Sequence, residues 1–113
     1  MPFNYAIQQD EGRVELWIDR GAGKATENKE IYDRLHKHKE EIEKAFGGKL
    51  SWQRLDDKQG CRIAYVTTGG GYRDDESKWP AIQDAMIEAM GRLEKALAPH
   101  LEQLRTELRS EGA

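Results

Sequence analysis

A handful of stretches in this 113-residue chain carry residue types capable of chemistry. His36-x-His38 looks like a metal-ligand pair, with His100 as the third histidine. On a helix, though, residues two apart point about 200° from one another, so an intact helix cannot bring both imidazoles to one ion. His100 stands apart in sequence, and no histidine metal site is expected. Glu27-Asn28-Lys29 has the letters of the Glu-x-Lys element that holds Mg²⁺ and a general base in metal-dependent nucleases. That element belongs on a strand, whereas these residues fall at a helix start, where charges suit the helix dipole. Asp56-Asp57-Lys58 reads as turn chemistry, aspartates accepting local backbone bonds, with metal binding as the alternative.

Gly69-Gly70-Gly71 ahead of a helix invites a phosphate-loop reading. No Gly-Lys-Ser/Thr follows, and Asp74, Asp75 and Glu76 would repel a phosphate, so a flexible connection is expected. Cys61 is the only cysteine, which excludes an internal disulfide and any multi-thiolate metal site within one chain. It reads as a small strand residue; a reactive thiol is the alternative, without a His or Cys neighbour in sequence to activate it. No Ser-His-Asp or Cys-His set follows from the spacing. Catalytic, cofactor and metal residues are therefore not expected, and the chain is not expected to be an enzyme. Arg20 and Arg73 occupy comparable strand-to-helix junctions and are the best anion-contact candidates, with pairing to Asp19 and Asp74 as the plainer reading.

The elements that must position these residues follow from hydrophobic period. Asn4 to Asp19 reads as a hairpin turning at Asp10-Glu11-Gly12, with Val14, Leu16 and Ile18 facing the core and Glu15, Trp17 and Asp19 facing away. A helix is predicted from about Thr26, its N-cap, to Phe46, with Ile31, Leu35, Ile42, Ala45 and Phe46 as its apolar stripe and Gly47-Gly48 as a left-handed stop. Leu50 to Gly60 and Cys61 to Thr68 read as a second hairpin. A second helix follows, with Pro80 in its first turn, Trp79 packing its entry, and Ile82, Met86, Met90 (or Ala89), Leu93 and Leu97 inward.

These elements repeat. Ile42-Glu43-Lys44-Ala45-Phe46 returns 51 residues on as Leu93-Glu94-Lys95-Ala96-Leu97, and Arg13-Val14-Glu15-Leu16-Trp17 returns 49 residues on as Arg62-Ile63-Ala64-Tyr65-Val66. The register sends Ile63 and Tyr65 into the core and leaves Trp17, Ala64 and Val66 outward as an apolar patch. Past Pro99, where a kink or break is expected, Leu101, Leu104 and Leu108 continue the helical period without a counterpart in the first unit. Three leucines, each worth about 1.5–3 kcal/mol if buried, must pack back on the body or on another subunit.

The chain is 37% hydrophobic and 35% charged, with a mean hydropathy of −0.90 and a net charge of −3. A soluble single domain is expected, with units at about 4–48 and 49–99 and an extension over 100–113. No run reaches the roughly 18 apolar residues of a membrane span, and Met1-Pro2-Phe3-Asn4 lacks a signal peptide's basic start and apolar centre. A cytoplasmic location is the default. Weak acidity with mixed signs disfavours a dedicated nucleic-acid binder.

Arg13-Val-Glu-Leu-Trp-Ile-Asp-Arg-Gly, Phe46-Gly47, Leu55-Asp56-Asp57-Lys58, Gly69-Gly70-Gly71-Tyr72-Arg73-Asp74, Trp79-Pro80 and Leu93-Glu94-Lys95-Ala96-Leu97 together resemble the bacterial domain-of-unknown-function family numbered 4268. The resemblance spans about Tyr5 to Pro99. It implies an accessory module that often follows a predicted nuclease-type domain, with no activity of its own assigned.

Together these readings predict an α+β domain: two β-hairpin–helix units, a four-stranded antiparallel sheet, and both helices on one face. The leading expectation for function is a non-catalytic, homodimerising interaction module using Trp17, Val66, Leu101, Leu104 and Leu108, with a nuclease-type protein as a further partner. The alternative is a nucleic-acid-binding accessory domain using Arg13, Arg20, Arg62 and Arg73.

Overall fold

The computed structural model describes residues 3–7, 11–67 and 76–111. The triple glycine, Arg73, Asp74, Asp75 and the turn residue Asp10 lie outside the described residues. Strands β1 (Phe3–Ile7) and β2 (Gly12–Ile18) lead into α1 (Ala25–His36) and α2 (Lys39–Phe46). Strands β3 (Ser51–Gln53) and β4 (Cys61–Thr67) lead, after a 3-10 turn at Glu76–Lys78, into α3 (Trp79–Glu111). The sheet runs β1-β2-β4-β3 with every neighbouring pair antiparallel.

Strands β2 and β4 form the centre, paired from Gly12 opposite Thr67 to Ile18 opposite Cys61. Period-2 alternation puts Val14, Leu16, Ile18, Cys61 and Ile63 on the inner face, where each is fully buried. Tyr65 packs on the same core from its edge, its ring 4.9 Å from that of Phe46. The two strands have equal length, and β4 starts 49 residues after β2. Their burial patterns differ at only two positions.

The single helix expected over Thr26–Phe46 is instead two. α1 closes with the Lys37 and His38 amides donating to Asp33 and Leu35, and α2 opens where Ile42 donates to His38. After Leu35 the next inward positions hold His38 and Lys39 rather than apolar residues, so nothing in the core holds that turn in register. Thr26 is not the N-cap either; Lys24 takes that place without a side-chain bond. Gly47 does end α2 in the left-handed region, at φ 93°, its amide and that of Gly48 donating to Glu43.

The third helix continues unbroken for 33 residues through Pro99, which sits on its exposed side. There the Lys95 carbonyl, deprived of an amide donor, can take water. Ile82, Met86, Ala89, Met90, Leu93, Ala96 and Leu97 enter the core alongside Ile31, Leu35, Ile42 and Phe46, whereas Ala45, expected in that stripe, is exposed. The tail folds back on the same domain: Leu104 is 3% exposed, and Leu101 and Leu108 pack against the core edge. No helix among the described residues is long and apolar enough to cross a membrane.

Candidate functional site

The sheet face away from the helices was expected to be an apolar patch; it is an ion-pair net. Glu15, buried at the centre, accepts from Arg13 at 3.2 Å and from Arg62 at 2.9 Å, and Arg62 also donates to Gln53 at 3.1 Å. The Arg62 guanidinium lies 5.4 Å from the centre of the Trp17 ring, which in turn packs against Gly60. Ala64 is fully covered, leaving Val66 as the exposed apolar residue among the three expected there. A central carboxylate neutralises the arginines, so this face offers little free charge to a phosphate backbone.

At the α1 end of the sheet the Glu-x-Lys letters prove structural. Lys29 Nζ donates to three carbonyls, those of Arg54, Leu55 and Gly60, at 2.7, 2.7 and 2.8 Å. Glu27 pairs with Lys24 at 3.5 Å. Between them in sequence, fully buried Asn28 accepts from the Arg20 amide and donates to the Gln59 carbonyl and Asp19. Asp56 pairs with Arg54, which also forks onto Asp33, so the Asp56-Asp57-Lys58 turn is tied to α1. The Arg54 fork holds the Asp33 carboxyl below its usual range.

Asp19 is pulled down by the Gly21 amide and by Gln59 and Asn28. Its carboxylate is thus spent on backbone and amide donors, and the expected Asp19–Arg20 pair does not form. That frees the Arg20 side chain for a cleft of about 760 Å³ between the β1–β2 end of the sheet and the α3 tail. Phe3, Leu101, Leu104 and Leu108 supply its apolar lining, Arg20, Arg105 and Arg109 its cations, and Asp19, already held by the donors above, its one carboxylate. Arg105 is shared with Glu102 at 3.2 Å, whereas Arg20 and Arg109 make no side-chain ion pair among the described residues. Candidates read separately from sequence, the three leucines and Arg20, therefore meet in one place. Trp17, Val66, Arg13 and Arg62 do not join them, and Arg73 lies outside the described residues.

His36 and His38 diverge as expected, His36 stacking on Tyr32 at 5.7 Å and meeting Trp52 edge-on at 5.3 Å. His100, however, is not isolated: its ring lies 4.9 Å from that of His38. Burial, then the neighbouring His38 charge, push the His100 pKa below its ordinary value. Burial also pushes the Cys61 thiol up, which disfavours the reactive thiolate.

Sequence reasoning missed the bonds made by Asn28, Lys29 and Glu43. The last accepts from the Leu50 amide at 2.8 Å and from Trp52 Nε1 at 3.2 Å, and so fixes the exit from α2. Their one sequence signal is a polar residue beside the inward stripe of a helix, which periodicity scores as noise. No curated protein and no solved structure matches this chain. A family model covers residues 1–101, so Leu104, Arg105, Leu108 and Arg109 of the cleft fall past its end. The chain belongs to the family described as domain of unknown function DUF4268.

Proposed function

We propose that this domain is a non-catalytic interaction module whose contact surface is the cleft between the α3 tail and the β1–β2 end of the sheet. The observation that carries this reading is the pair of guanidiniums, Arg20 and Arg109, without ion-pair partners among the described residues and set beside an apolar floor of Phe3, Leu101 and Leu108. Such a lining complements a segment that offers carboxylates and one or two apolar side chains. The matched bounds and burial of β2 and β4 support a duplicated hairpin–helix unit. On that reading the tail, which has no counterpart in the first unit, is what the second copy added to make a binding wall.

A fluorescein-labelled peptide alternating Glu and Leu tests the proposal by anisotropy. Binding that Arg20→Glu with Arg109→Glu weakens by about tenfold or more, while far-UV circular dichroism stays unchanged, supports it. Binding indifferent to both reversals, or none, removes it. Homodimerisation is the form of this reading in which the partner is a second copy, and light scattering decides it. The control there is Leu101→Glu, because Leu104 belongs to the chain's own core and its replacement would unfold the domain.

A nuclease-type protein, which the family resemblance suggests, is the natural source of the docked segment. The second reading, a nucleic-acid-binding accessory domain, draws on Arg13, Arg20, Arg62 and Arg73, of which Arg20 lines the cleft. Against it stand the net charge of −3 and the commitment of Arg13 and Arg62 to Glu15. Duplex binding with a steep salt dependence would favour it over a peptide partner.

A further inference from the structure

We propose that His38, Glu41 and His100 form a binding site for a divalent transition-metal ion, zinc above all, that staples the α1–α2 break to α3. Each residue offers one ligand atom, and these atoms all lie within 4.8 Å of one another. A tetrahedral zinc site with bonds of about 2.0–2.1 Å sets its ligands about 3.4 Å apart. Small side-chain rotations close that difference: Glu41 is mostly exposed, His38 is half-exposed at the break itself, and His38 Nδ1 is already 3.9 Å from the Glu41 carboxylate. A two-residue separation on one helix keeps His36 and His38 apart. Here one ligand comes from the break, one from the first turn of α2, and one from a different helix.

The ligands select the kind of ion. Lys37, Glu107 and Arg34, which is paired with Glu107 and Glu30, line the adjoining cleft of about 330 Å³ with His38 and His100. A single carboxylate among the three ligands falls short of a hard ion such as Mg²⁺ or Ca²⁺, which needs several oxygen ligands. An imidazole pair with one carboxylate suits borderline ions that bind nitrogen strongly. Three protein ligands leave a fourth position to water, the coordination pattern of an open rather than a closed zinc site.

The test uses the full chain, stripped with chelator and titrated with zinc chloride by calorimetry, beside thermal melts with and without zinc. One equivalent should bind and raise the melting midpoint, whereas Mg²⁺ should do neither. His100→Ala, His100→Gln and His38→Ala should each weaken binding by about tenfold or more and abolish the thermal gain, with unchanged circular dichroism without metal. His36→Ala, whose ring packs on Tyr32 and Trp52, should leave binding intact. Zinc binding that survives both His100 variants, or that His36→Ala removes, would overturn the site, as would no binding at micromolar zinc.

Discussion

The ammonium of Lys29 stands 2.7 Å from the carbonyl oxygen of Leu55, and Leu55 is the one non-glycine residue among those described with a positive φ, at 54°. A left-handed leucine costs about 1–2 kcal/mol, so the β3–β4 connection persists because something else holds it. Lys29 does so from α1, taking the Arg54 and Gly60 carbonyls as well. Lys29→Met should lower the stability measured by urea unfolding by about 1.5–3 kcal/mol, the range for hydrogen bonds to a charged group. Lys29→Arg should not restore it, since a planar fork cannot sit among three carbonyls as a compact ammonium does. Full stability in Lys29→Met would show that the connection holds itself.

Gly60 makes a second close approach in the same connection. A Cβ built there would overlap the Trp17 ring, which is hemmed in by the Arg62 guanidinium above it. Gly60→Ala should therefore cost about 1–3 kcal/mol, as overpacking does. In a Trp17→Leu background the cost should fall below half, because the obstructing ring is gone. Equal costs in both backgrounds would place the strain elsewhere.

How much of this was legible follows from the range of each interaction. The inward faces of β2 and β4, the Gly47 stop and the stripes of α1 to α3 rest on period and local backbone preference, which a sequence displays. The break at His38 was hidden because Leu35 and Ile42, seven apart, fit one straight helix as readily as two. The cleft and the His38–His100 contact join residues far apart in sequence, and no spacing rule reaches across that gap. Strand alternation puts Glu15 on the outward face and says nothing of the arginines that cover it.

Two carboxylates tie loops to helices in ways that respond to acid. The Arg54 fork lowers the Asp33 pKa, and the Leu50 amide, followed by Trp52, lowers that of Glu43. A carboxylate whose folded pKa is depressed binds its proton more weakly than in the unfolded chain. Its stabilisation is complete above the unfolded pKa and is lost as pH falls through the folded one. The urea midpoint should thus hold steady near neutrality and drop progressively below roughly pH 4.5. Glu43→Gln should shallow that drop while lowering the neutral-pH plateau. An acid limb unchanged by Glu43→Gln would mean the Leu50 and Trp52 bonds are not what depresses it.

Pro99 lies inside a helix that does not stop for it, at an exposed position. Relative to alanine, proline costs about 3 kcal/mol within a helix, of which about 0.4–1 kcal/mol is returned by its restriction of the unfolded chain. Pro99→Ala should therefore raise stability by about 2 kcal/mol, read from urea unfolding, through the regained amide donor to the Lys95 carbonyl. The sign of the change discriminates between two roles. Should stability fall instead, the geometry that proline imposes is needed to seat Leu104 at its 3% exposed position. The tail would then owe its place on the domain to the backbone geometry at Pro99 rather than to leucine burial.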